Sequence, residues 1–254
     1  MRTKVTQVYP FILTCLMAGL IGCYEEEDSC NIKTGGIYVE YTVNENNAEA
    51  VAQAVFWVGD EPGGTNLELG VCGDRVEVNG HRLTEYEDRP TRYAAFIPVA
   101  EKYEFTFIRP DEPPHVSVAE QIPEPVHFIA PDGIDAPRDQ PLEIRWENNW
   151  SGAATLEING SCIYRHVETV TDNGEHTLAA NRLAAKNEVI TPDCVAGITL
   201  ARYFHGRISP NLKGSVSGMV LSSTYCNSTS SIDGPPTSFG AIDDTDTGNG
   251  TMEQ

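Results

Sequence analysis

Tyr103-Glu104-Phe105-Thr106-Phe107-Ile108 carries an aromatic ring at every second position. Successive side chains of a β-strand point to opposite faces, so Tyr103, Phe105 and Phe107 share one face and Glu104 and Thr106 the other. A helix would space its apolar positions three or four apart, so this stretch predicts a half-buried strand. Its neighbours read the same way. Ile37-Tyr38-Val39-Glu40-Tyr41-Thr42-Val43 and Gln53-Ala54-Val55-Phe56-Trp57-Val58 are rich in β-branched and aromatic residues. Leu67-Glu68-Leu69 alternates, and Arg75-Val76-Glu77-Val78 runs into Asn79-Gly80 and then His81-Arg82-Leu83. Asn-Gly between alternating residues predicts a hairpin, because a type I′ turn needs positive φ at two positions. With residues 93–99 these stretches make about seven strands by Arg109.

Pro110, Pro113, Pro114, Pro123 and Pro125 follow. Proline lacks an amide donor and breaks ladders, so residues 110–126 predict a boundary or stiff connector, with His115-Val116-Ser117-Val118 as a last strand of the first unit. The second half repeats the pattern. Leu142, Ile144 and Trp146 alternate inward; turns are expected at Asn159-Gly160 and Asp172-Asn173-Gly174; late strands are expected at 196–204 and 215–222. The Ala-rich stretch 178–186 is the one place where a short helix is expected. Pro131-x-Gly133 followed by Pro141-Leu142-x-Ile144-x-Trp146 resembles the start of immunoglobulin-like or fibronectin type III-like modules. The expected fold is all-β: two tandem immunoglobulin-like β-sandwich domains, 35–122 and 123–226, then an acidic disordered tail, 227–254.

The N-terminus carries the clearest functional signal. Arg2 and Lys4 precede an apolar run over residues 11–22, of signal-peptide length and too short for a membrane span. The run ends in Leu20-Ile21-Gly22-Cys23, which resembles the lipobox of bacterial lipoproteins. That resemblance implies removal of residues 1–22, a diacylglyceryl group and further acyl chains on Cys23, and a lipid membrane as the first partner. Tyr24 rather than Asp follows the cysteine, which in such families favours the outer membrane of the cell envelope. Residues 23–34, with Glu25-Glu26-Glu27-Asp28, read as an acidic tether. The acidic run is a solvated spacer or resembles a surface-export signal, so the membrane face stays open.

Composition narrows the partners. Lys and Arg number 17 against 37 Asp and Glu, a net charge of −20; losing Arg2 and Lys4 makes it −22. Nucleic acid is excluded, because a phosphate backbone needs a basic face. Five cysteines lie beyond the signal and Cys23, and none is spaced as C-x₂-C, so an exported chain predicts disulfides rather than zinc. Cys30 and Cys72 form one candidate pair, Cys162 and Cys194 another, and Cys226 is left free or competing.

Catalytic motifs fail. Gly214-Ser215-Val216-Ser217-Gly218 has Val where a nucleophile elbow needs Ser, and the six histidines show no HxH or HExxH spacing. No catalytic residue and no metal ligand is assigned. Asp243-Asp244-Thr245-Asp246-Thr247-Gly248-Asn249-Gly250 misses the Gly and Glu of an EF-hand loop, which leaves at most weak calcium binding by an acidic surface. Asn148-Asn149-Trp150-Ser151-Gly152 puts Trp150 in a polar turn, either as a ligand-stacking ring or folded back on the core. The expected protein is a non-catalytic envelope lipoprotein that binds or scaffolds an envelope protein or glycan. A carbohydrate-binding or adhesive module and a carboxylate-based hydrolase are the alternatives.

Overall fold

Tyr103, Phe105 and Phe107 are fully buried on one face of a strand, and that face meets a second sheet. The computed structural model describes residues 26–46, 48–86, 89–186 and 193–229. The signal segment, Cys23, the Asp243–Gly250 stretch and most of the expected tail lie outside them. The first half contains β1 (Glu26–Asp28), β2 (Ile37–Glu45), β3 (Ala50–Val58), β4 (Asn66–Glu68), β5 (Arg75–Val78), β6 (His81–Arg82), β7 (Thr84–Tyr86), β8 (Arg89–Ile97), β9 (Tyr103–Ile108) and β10 (His115–Ala119). The second contains β11 (Phe128–Ala130), β12 (Asp135–Pro137), β13 (Leu142–Trp146), β14 (Ala153–Gly160), β15 (His166–Thr171), β16 (Glu175–Leu178), β17 (Cys194–His205) and β18 (Lys213–Thr229).

The fold is all-β. One 11-stranded sheet follows the order β1-β4-β3-β2-β18-β17-β14-β15, with β8 and β7 continuing from β3 and β12 on β18. Two smaller sheets, β10-β9-β5-β6 and β11-β13-β16, lie on the same side of it. Each covers its own apolar core. In the first, Tyr41 stacks on Phe105 with ring centroids 4.5 Å apart, and Phe56 packs on Phe107 at 5.2 Å. In the second, Ile144 and Trp146 of the small sheet meet Leu156, Ile158, Ile198 and Leu200 of the large one. Asn79 and Gly80 take φ of 47° and 80°, the pair of positive values that the β5–β6 hairpin requires.

β17 and β18 join the two cores. β17 is 12 residues long and β18 is 17, and they pair antiparallel from Cys194–Ser228 to His205–Ser217. The far half of β18 runs parallel to β2, with Lys213 opposite Tyr38. Phe204, Leu212, Val216 and Val220, read from sequence as part of the second unit, therefore complete the first core. The proline-rich segment is a connector, but the chain returns across it.

Four local expectations are corrected. Residues 26–34 are not a free tether: β1 pairs with β4, Ser29 is buried, and Cys30 is bonded to Cys72. Asn159-Gly160 is not a turn but the end of β14, opposite Gly197 and Ala196. Gly160 serves proximity, since a Cβ there would lie 3.1 Å from both Cys194 Sγ and the Val195 carbonyl. Residues 179–186 form turns instead of a helix, tied by Tyr164 N–H to the Ala184 carbonyl and Lys186 N–H to the Cys162 carbonyl. Asn227, Ser228 and Thr229 belong to β18, not to the tail, because β17 and β12 supply pairing partners on both sides.

Candidate functional site

The side chains with chemistry to offer fall into buried networks and one open recess. Arg202 of β17 is fully buried at the junction of the two cores. Its Nε and Nη2 donate to Asp172 at 2.6 and 3.1 Å, and its Nη1 donates to the Glu124 carbonyl and to Asn149 Oδ1, both at 2.7 Å. Trp146 Nε1 donates to the same carboxylate at 2.8 Å. Every partner is a fixed neighbour, so the network holds the connector and two loops to β17 and engages the buried Asp172 carboxylate in three hydrogen bonds. Trp150 sits one residue beyond Asn149 and is partly buried, neither a flat exposed platform nor sealed in the core.

A second network secures the N-terminal segment. Arg109 reaches Asp74 at 3.2 Å and donates to the carbonyls of Ser29 and Ile32 and to Thr34 Oγ1. Glu112 accepts from Thr34 Oγ1 at 2.6 Å and lies 3.0 Å from His115 Nε2. The Thr34 hydroxyl, followed by His115 and Arg109, holds the Glu112 carboxyl below the usual range. The third buried acid, Glu45, accepts from the Tyr103 hydroxyl, and burial raises its pKa. Glu45, Asp74 and Asp172 thus each face their own partner rather than one another. The second disulfide joins Cys162 to Cys194, and Cys226 is free and buried, its thiol pushed up to about 11 by desolvation. Among the described residues no group of three or more His, Cys, Asp or Glu is arranged to hold a metal ion.

The recess lies where the chain crosses between sheets. Arg82 pairs with Glu77 in the small sheet, and two residues later Thr84 pairs with Ala94 in the large one. A hollow of about 250 Å³ opens on each side of this crossover, and Arg82, Thr84 and Glu85 line both. The one on the outer face is completed by Val51, Tyr86 and Phe96. Phe96 is 73% exposed, directly opposite Val51 in the register, and Tyr86 is 38% exposed. Outside the lining of either hollow, buried Thr91 donates its N–H to Glu85 Oε1 and holds φ +67°, a strained value for a β-branched residue, with its hydroxyl unpartnered. An apolar shelf flanked by a guanidinium, a hydroxyl and a carboxylate suits a ligand with one apolar face and a polar rim.

The recess was missed in sequence reading, although it left a signal. Tyr93, Ala95 and Ile97 share the inner face of β8, so Phe96 falls on the opposite one, an aromatic on the solvent side of an alternating strand. No protein-family model matches the chain, and no curated protein matches it in sequence.

Proposed function

We propose that this protein is a lipid-anchored component of the bacterial cell envelope that binds a partner through the Phe96 recess and performs no chemistry on it. The anchor rests on Leu20-Ile21-Gly22-Cys23 and the segment before it. The observation that carries the binding role is the exposed Phe96 ring on a shelf with Val51 and Tyr86, flanked by Arg82, Thr84 and Glu85. Leaving an aromatic ring in water sacrifices burial of the order of 2 kcal/mol, which contact with a partner restores. The partnered state of Glu45, Asp74 and Asp172 favours binding over a carboxylate-based hydrolase. A sugar-binding reading finds better support at Phe96 than at Trp150, because a pyranose presents an apolar face and a hydroxyl rim that match the ring and the Arg82–Thr84–Glu85 group.

A photo-crosslinking amino acid at position 96, in intact cells, tests the site. An adduct to one envelope protein or glycan, absent when the reporter is moved to exposed Val195, supports the reading; equal labelling at both positions overturns it. For the anchor, Cys23→Ala is expected to move the protein from the membrane to the soluble fraction. Protease shaving of whole cells then distinguishes an outward-facing protein from a periplasmic one.

A further inference from the structure

The sheet edges of this molecule are treated unequally. β1, β7, β11 and β12 are three residues long, β6 two and β16 four; β7 and β11 have register shifts, and β12 ends in Pro137. β10, with five residues, is bridged by Arg207, whose carbonyl accepts from Val118 N–H at 2.9 Å and whose N–H returns a bond at 2.7 Å. These are the ways in which proteins blunt an edge. β15 is neither short, shifted, proline-bearing nor covered, and its one inward charge is Glu168. It pairs with β14 through six residues without a shift, and among the described residues nothing pairs with its other side.

One bond gives the direction of its free groups. Asp172 N–H donates to the Gly152 carbonyl at 2.9 Å, continuing the β14–β15 register as a hydrogen-bonded pair. Such pairs alternate along an antiparallel ladder, so the N–H and C=O groups of Val167, Thr169 and Thr171 point away from β14. The side chains of these three residues are exposed on the outer face, while His166, Glu168 and Val170 face inward.

We infer that this edge docks a second copy of the chain, antiparallel, about a two-fold axis at Thr169. Two symmetric registers centred on the strand keep inner residues opposite inner ones. One sets Glu168 against the partner's Glu168, and like charges directly opposite are destabilising. The other sets Thr169 against the partner's Thr169, Val167 against the partner's Thr171 and Glu168 against the partner's Val170. In this register Val167 and Thr169 each donate once and accept once, Thr171 donates once while its carbonyl already accepts from Asn173 N–H at 3.0 Å, and the outer face of the joint is entirely β-branched. The Glu168 carboxylate lies 2.7 Å from His176 Nε2, so it keeps a hydrogen-bond partner within its own chain at the joint. The edge is complementary to itself, which is why the occupant is a second copy rather than an unrelated strand.

The test is cysteine crosslinking of the full chain in its own membrane, read on non-reducing gels against the parent chain. Hydrogen-bonded pairs place Cα atoms about 5.5 Å apart, within disulfide range. Thr169→Cys is expected to form a homodimer roughly tenfold more efficiently than Val167→Cys, whose two copies lie about 13 Å apart along the strand at 3.3 Å per residue. Thr169→Pro removes a free-edge donor without touching a β14 bond, and Thr169→Lys sets like charges on the axis. Both are expected to halve the mass seen by light scattering of the purified chain. Equal crosslinking at 167 and 169, crosslinking at neither, a Thr169→Cys adduct to a different protein, or a dimer that survives both Thr169→Pro and Thr169→Lys overturns the inference.

Discussion

Tyr41 and Glu45 show how single buried polar atoms set local energetics. The Tyr41 hydroxyl is fully buried in the first core without a hydrogen-bond partner. A buried unsatisfied group costs about 1–3 kcal/mol, so Tyr41→Phe, which keeps the ring stacked on Phe105, is expected to raise stability by about 1 kcal/mol in a denaturant titration. Glu45, four residues on, is raised above the ordinary carboxylate range because burial disfavours its charge, and the Tyr103 hydrogen bond only partly opposes this. A group whose folded pKa is raised contributes stability in full below its unfolded pKa, near 4.3, and loses it as pH rises through the folded value. Glu45→Gln should therefore flatten the dependence of melting temperature on pH above about 4.3, and at pH 7 it should be no less stable than the parent. A variant that melts lower at pH 7 and keeps the parent's pH slope would contradict this account.

At the level of elements, the glycines of Gly214-Ser215-Val216-Ser217-Gly218 have a packing role. A Cβ on Gly218 would collide with the Phe204 ring and the Val43 carbonyl, and one on Gly214 with the backbone of Val39. β18 lies so close to β2 and β17 at Gly214 and Gly218 that neither position admits a Cβ, although Val216 between them reaches the first core. Gly218→Ala is expected to cost about 2–3 kcal/mol of stability, measured by chemical unfolding, while Ser215→Ala, on the exposed side, costs almost nothing. The same elements show how much was legible. Period-two alternation identified β9 and β13 together with their inward residues, because alternation records burial on one face, while β-branched and aromatic content marked β2 and β3. Asn-Gly was ambiguous: at 79–80 it makes a turn, whereas at 159–160 the glycine answers to a disulfide packed across from it. The pairing of β18 with β2 was invisible, since parallel partners so far apart share no local pattern. The Phe96 recess was hidden for a related reason: its walls come from four strands, and only the parity of Phe96 pointed to it.

For the whole molecule, the shared β17–β18 pair predicts one cooperative unit. Four side chains of the first core, Phe204, Leu212, Val216 and Val220, come from beyond residue 200, and β2 has β18 as its neighbour. A fragment ending at residue 122 is expected to remain unfolded by circular dichroism, and the full chain to melt in a single calorimetric transition. A folded fragment, or two separate transitions, would show the cores to be independent. The arrangement also sets a schedule for biosynthesis. Tyr38 leaves the ribosome 175 residues before its partner Lys213. At 5–20 residues per second that is a wait of roughly 10–35 s, during which β2 and β3 present an unpaired edge and an uncovered apolar face. The lateness of residues 204–220, rather than the strength of any contact, therefore sets when the first half of the chain becomes safe from misassembly.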